Sequence, residues 1–150
     1  MKSLSGADLE KRRKQVEGTA TFGLLLLLVA LAAPFTNPDN TALLSIFRWI
    51  YGAGALIYLI ARIADVSDPE ESVRLKRLRR MEFWAGIAFV VATFFWFYSQ
   101  YHVQKVLGVN AGILAVMRNT ITFTLVGAII QIIASWLIYS QQKKDLQSNR

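Results

Sequence analysis

The chain is predicted to be an all-α polytopic membrane protein with four transmembrane helices arranged as two hairpins. Three observations predict this. The 150 residues are 54% hydrophobic with a mean hydropathy of +0.36. Four stretches of 20 to 24 residues carry at most one formal charge each. The lysines and arginines concentrate in alternate connecting segments. An apolar run of about 20 residues matches the hydrocarbon thickness of a bilayer, and a soluble domain rarely sustains four of them.

The first stretch, Gly18 to Pro38, holds 21 uncharged residues between Glu17 and Asp39. Its helix is expected to end near Pro34, giving a span at about 18–35. A secretory signal peptide over Lys11 to Ala32 is the rival reading, with Ala30-Leu31-Ala32 as the small-residue site. Three acids among the 17 leading residues make a poor n-region, so the span is preferred.

The second stretch, Ala42 to Ala61, has Arg48 as its only charge and predicts a span at about 42–62. The third, Phe83 to Gln104, has 22 residues without a formal charge when His102 is neutral. Ahead of it, Ser67-Asp68-Pro69-Glu70-Glu71 combines an N-cap, a proline at the first helical position and acids in the first turn. That start predicts a helix from near Pro69 to Tyr101, whose first turns project below the bilayer. The fourth, Asn119 to Gln142, has 24 uncharged residues. Val106 to Met117 before it is too short to cross and is interrupted by Gly108, Asn110 and Gly112. It reads as a loop and an early turn of a last helix at about 115–141.

Five lysines and arginines precede the first span, six lie in or beside the middle loop, and three follow the last span; together these are 14 of 17. The other side has Lys105 and the helix-end residues Arg48 and Arg118. The positive-inside rule then puts both termini and the middle loop in the cytoplasm. The excess of seven positive charges is thereby read as topology, and no nucleic-acid recognition motif accompanies it.

Lys11-Arg12-Arg13-Lys14-Gln15-Val16-Glu17 matches Lys76-Arg77-Leu78-Arg79-Arg80-Met81-Glu82 at a constant offset of 65. Duplication of a hairpin would produce this. So would convergence, since every inward helix end attracts positive flanks.

Chemistry is sparse. With no cysteine and one histidine, disulfides, thiolate metal sites, iron–sulfur clusters, bis-histidine haem and multi-histidine metal sites within one chain are excluded. No nucleophile elbow or phosphate loop is present, so no catalytic residue, metal or cofactor is expected. A lipid head-group enzyme would have to use Asp65, Asp68, Glu70 and Glu71, the last three of which are accounted for as helix-start residues.

The candidates for ligand binding or pairing are Arg48, Arg118, Gln131 and Glu82. Arg48 and Arg118 are the charges nearest the hydrocarbon and can snorkel outward. Arg48, Gly52, Ala55, Leu59 and Arg62 share one face of the second helix by their 4-3-4-3 spacing. Thr120, Thr124, Gly127, Gln131 and Ala134 share one face of the fourth. Arg118, about 200° around the helix from Thr120, points away from that stripe.

Gln131, near mid-membrane, is expected to act as interhelical hydrogen-bond glue. Glu82 begins a stripe through Gly86, Phe89 and Thr93 and is expected to pair with a basic neighbour, with a proton site as the alternative. Arg74, Lys76, Arg77, Arg79 and Arg80 form a candidate surface for anionic lipid headgroups or an acidic partner. Phe94, Phe95, Trp96, Phe97, Tyr98 and Tyr101, with Trp84 and Trp49, are expected to form aromatic belts.

Two stretches resemble uncharacterised small four-helix inner-membrane proteins of Bacteroidota. They are Leu75-Lys76-Arg77-Leu78-Arg79-Arg80-Met81-Glu82-Phe83-Trp84-Ala85, and Phe123-Thr124-Leu125-Val126-Gly127-Ala128-Ile129-Ile130-Gln131 followed by Ser135. The resemblance covers mainly the second half of the chain. It implies the architecture and no catalytic residue.

The expected function is therefore non-enzymatic: a membrane scaffold or accessory subunit of an envelope complex, working by self-association or by packing on another membrane protein. The alternative is a small oligomeric transporter or channel for an anionic or amphipathic substrate, with stripes from several copies lining a path.

Overall fold

A computed structural model describes residues 5–36, 40–65, 72–106 and 118–150. It contains four helices, α1 (Gly6–Thr36), α2 (Thr41–Ile63), α3 (Val73–Val106) and α4 (Arg118–Ser148), and no strand among the described residues. All four are long and apolar enough to cross a membrane.

The starts of α1, α2 and α3 each have a side-chain cap that satisfies a backbone donor otherwise left without a partner. Ser5 Oγ accepts from Asp8 N at 3.3 Å and donates to Asp8 Oδ2 at 2.7 Å. Asn40 Oδ1 accepts from Leu43 N at 3.1 Å. Ser72 Oγ accepts from Leu75 N at 3.3 Å, so the described part of α3 opens at Val73. The start expected at Pro69, with the segment Ser67 to Glu71, lies outside the described residues, as does Leu107 to Met117.

Three helices are much longer than their apolar stretches. α1 and α4, of 31 residues each, rise about 46 Å against a hydrocarbon core of about 30 Å. α1 starts twelve residues before the uncharged run at Gly18, and α4 continues through the basic tail to Ser148. α1 ends at Thr36, close to the end expected near Pro34. Pro34 sits buried in the last turn, and Thr36 closes the helix by donating its hydroxyl to Ala32 O and Ala33 O, each at 3.2 Å.

The helices run antiparallel in chain order, so the starts of α1 and α3 meet the ends of α2 and α4 at one end of the bundle. That end carries the basic segments. α1 packs along α2, α2 on α3 and α3 along α4, whereas α1 and α4 scarcely meet.

Two close approaches set the spacing of the hairpins. α1 and α2 cross at Gly23 and Gly54, where a Cβ on Gly23 would stand 2.8 Å from Gly54 O and 2.9 Å from Tyr58 N. Small residues at such a crossing let backbones touch, the usual means of helix association in lipid. α3 and α4 meet where the Phe89 ring lies over Gly127, with 2.8 Å left for a Cβ there.

The core joins the hairpins through Ala20, Leu27, Tyr51, Tyr58, Phe89 and Trp96. Outside it, Phe22, Leu28, Ile60, Phe94, Ile132 and Trp136 are each more than half exposed. Apolar side chains clothe the outside and charged ones lie buried within (Arg62, Glu82), the reverse of a soluble bundle and suited to a lipid surround.

The aromatic cluster late in α3 divides. Phe94 and Tyr98 face outward as expected of a belt, with Trp49 and Trp84 also exposed. Trp96 corrects that expectation: it is fully buried, 5.3 Å from the Tyr51 ring. Phe95 stacks on Phe123 at 5.2 Å, and Phe97 meets the Trp49 edge at 5.1 Å. These are interhelical contacts. Offset and edge-on ring pairs bring a preference of their own beyond area burial.

Candidate functional site

The chemistry of the bundle gathers at its basic end, where one residue from each helix meets the next. Arg62, one residue before the end of α2, is 3% exposed at its side chain. Its Nη1 stands 3.0 Å from Glu82 Oε2 on α3 and donates to Glu17 Oε1 on α1 at 3.1 Å. Glu82 is equally buried, whereas Glu17 is half exposed. A buried guanidinium with its fork of donors suits this bridging role better than an ammonium would.

α4 completes the network. Gln131 Nε2 donates to Glu82 Oε1 at 3.2 Å and to Ser135 Oγ at 2.9 Å, and the Tyr58 hydroxyl donates to Gln131 Oε1. Arg62 also lies 5.1 Å from the centre of the Tyr58 ring. Tyr58 and Arg62 are four apart on α2, as are Gln131 and Ser135 on α4, so each pair shares a helical face. A second buried pair lies alongside: Arg79 Nη1 donates to Asp65 Oδ2 at 2.9 Å, with both side chains less than a tenth exposed.

Oxygens of Glu17, Asp65 and Glu82 fall within 4.8 Å of one another. A hard cation takes such carboxylates. Here the guanidiniums of Arg62 and Arg79 are already interleaved among them. The arrangement is an ion-pair cluster of three acids and two bases.

The expected candidates divide accordingly. Glu82 and Gln131 come together, Glu82 in the expected pairing with a basic neighbour and Gln131 as a bridge between helices. All five residues of the α4 stripe are buried, and they are used inside the bundle. Thr124 and the Tyr51 hydroxyl share a hydrogen bond, and Thr120 donates to Ala92 O at 3.3 Å.

Arg48 and Arg118 stay at the opposite end. The Arg48 guanidinium lies 4.4 Å from the Phe97 ring centre, a cation–π contact, and Arg118 is exposed at the start of α4. Of the expected basic surface, Arg74, Lys76, Arg77 and Arg80 are exposed. Arg79 is the correction, since its side chain turns inward onto Asp65. Of the acids considered for a head-group enzyme, Asp65 is this partner of Arg79, and Asp68, Glu70 and Glu71 lie outside the described residues. The side chain of His102 does too.

Sequence reasoning missed Arg62, Tyr58, Glu17 and Asp65 as members of one network. A signal for Glu17 was present: it is the offset-65 counterpart of Glu82, and both meet Arg62. The Arg62 position was visible only as the end of a stripe.

Four lipid-length helices with an apolar exterior and a buried polar junction define the class: a polytopic α-helical membrane protein. Comparison with protein-family models, curated proteins and solved structures finds no match for the chain.

Proposed function

We propose that the protein is a non-enzymatic module of the bacterial inner membrane, with both termini cytoplasmic, acting as a scaffold or accessory subunit of an envelope complex. One observation carries this reading. The interior polar groups nearest to a path through the bundle, Thr120, Thr124, Gln131, Glu82 and Arg62, are engaged with one another or with neighbouring helices. What the chain displays is an apolar belt and, at the basic end, the exposed Arg74, Lys76, Arg77 and Arg80.

Such a surface suits lipid headgroups and an acidic partner. The positive-inside bias supports the cytoplasmic assignment of that end. The resemblance to four-helix proteins of Bacteroidota supports the inner membrane.

The transporter reading needs polar stripes free to line a path between copies. The α4 stripe is spent on packing within one chain, which weighs against it.

Native mass spectrometry of the protein extracted gently from its own membrane tests the proposal. The expected result is a defined assembly with another membrane protein or with itself. A strict monomer with no copurifying partner would overturn it.

A further inference from the structure

At the basic end α3 runs on from Val73 to Glu82 before its uncharged stretch begins at Phe83. This projection is packed on one side: Leu75 and Leu78 are buried, Arg79 turns inward onto Asp65, and Ser72 caps the first turn. On the other side Arg74, Lys76, Arg77 and Arg80 are all exposed. At 3.6 residues per turn these four fall within an arc of about 160°. We infer that this arc is the docking surface for an acidic segment of a partner protein outside the bilayer, and that the headgroups of the surrounding lipid are not its occupant. The inference rests on the scaffold reading and names the chemistry of the partner.

Charge is the first argument. Among the described residues none of the four has an acidic partner. Arg74 and Arg77, Lys76 and Arg80, and Arg77 and Arg80 are like-charged neighbours three or four residues apart, which by itself weakens a helix. The projecting part of α1 differs: Asp8, Glu10 and Glu17 are interleaved with its bases, and Glu10 holds Lys14 at 3.0 Å. Carboxylates laid along α3 would relieve a repulsion that the chain leaves standing.

Direction is the second argument, and it selects protein over lipid. The headgroup layer on each side of the hydrocarbon is about 5–8 Å deep. Counted back from Phe83, Arg80 stands about 4.5 Å out, Arg77 about 9 Å, Lys76 about 10.5 Å and Arg74 about 13.5 Å. All but Arg80 therefore start beyond the headgroups. Side chains on a helix lean toward its N-terminus, and the N-terminus of α3 points away from the bilayer, so these bases reach further out.

Lys143 and Lys144 on α4 are the contrast. They are exposed just past the uncharged stretch that ends at Gln142. The same lean carries them back toward the membrane, where anionic headgroups attract them.

The test uses the full chain in phosphatidylcholine nanodiscs. The probe is a soluble helical peptide with glutamates at every third or fourth position, and its binding is read by fluorescence anisotropy. Binding that weakens as salt rises is expected. Arg74→Gln with Arg77→Gln should weaken it roughly fivefold to tenfold, the scale of two exposed ion pairs. Retention of phosphatidylglycerol by the same variant, followed by native mass spectrometry from mild detergent, should be unchanged. Lys143→Gln with Lys144→Gln should do the reverse. All four substituted side chains are exposed, so the fold is kept.

Failure of the peptide to bind would overturn the inference. So would loss of phosphatidylglycerol, or of binding to phosphatidylglycerol vesicles, in place of loss of the peptide when Arg74 and Arg77 are replaced. Tighter binding of a single-stranded oligonucleotide of equal charge would overturn it as well. A defined native assembly without peptide binding would sink this inference alone, whereas a strict monomer would sink the scaffold reading beneath it.

Discussion

The two ends of this bundle are held by different physics. At the basic end the helices meet through charge: Arg62 bridges Glu17 and Glu82, Gln131 and Ser135 close the network from α4, and Arg79 holds Asp65. Toward the other end they meet through shape. Trp96 lies buried against Tyr51, Phe95 stacks on Phe123, and Phe97 lies between Trp49 and Arg48. The glycine crossings, Gly23 on Gly54 and Phe89 over Gly127, lie between.

The difference teaches what a lipid surround permits. Apolar packing has little hydrophobic drive behind it there, because lipid tails are as apolar as leucine. Close fit and polar pairing must hold the helices. A buried ion pair is costly unless its remaining polar atoms are also met, and Glu82 is met only in part: Oε1 accepts from Gln131, while Oε2 faces Arg62 at 3.0 Å as an ion pair without a hydrogen bond.

The comparison can be broken most severely at Glu82. Glu82→Ala leaves Arg62 buried with only the half-exposed Glu17, and a loss of about 3–5 kcal/mol is expected, read as unfolding in mixed micelles with increasing SDS. Replacing Arg62 and Glu82 together by leucine should recover much of that loss, since an apolar pair carries no desolvation cost. If the double variant is as unstable as the single one, the network does more than neutralise itself.

The next largest effect is expected at the glycine crossings. Gly23→Ala puts a Cβ against the backbone of Gly54 and Tyr58, which cannot move without parting α1 from α2. A cost of about 1–3 kcal/mol is expected, toward the upper limit. Gly127→Ala presses on the Phe89 ring, a side chain with some room to turn, and should cost less. Equal costs, measured by the same unfolding assay, would show that the α3–α4 contact is as rigid as the α1–α2 crossing.

Tyr51→Phe removes the hydrogen bond with Thr124 and keeps the ring against Trp96. About 0.6 kcal/mol is expected, the usual worth of such a bond between membrane helices. Smallest of all is Arg74→Gln with Arg80→Gln. These exposed residues should shift stability by no more than about 0.5 kcal/mol, while binding to vesicles rich in anionic lipid weakens. A large stability change there would mean that the basic end is packed more closely than its exposure indicates.

Much of the candidate site was legible. The α4 stripe follows from 4-3-4 spacing, and all five of its residues are buried. A carboxylate at Glu82 and an amide at Gln131 are costly in lipid without partners, so their inward placement followed from energetics alone. Even Trp96 had a signal. The stripe Glu82, Gly86, Phe89, Thr93 continues by three to Trp96, yet the local run of aromatics looked like a belt.

Arg79 was less legible. It lies among four other basic residues that do face outward, and only the fold brings Asp65 beside it. The glycine crossing of α1 on α2 was not legible either, because it pairs positions 31 residues apart in the chain.

From the sequence alone follow four helices, their antiparallel order and the gathering of the basic segments at one end, because spans must match the bilayer and charges must stay out of it. Only the tertiary structure decided which apolar side chains face protein and which face lipid, since hydropathy does not distinguish two equally apolar surroundings. It alone decided that Arg62 would serve two acids from different helices, and that α1 and α4 would scarcely meet.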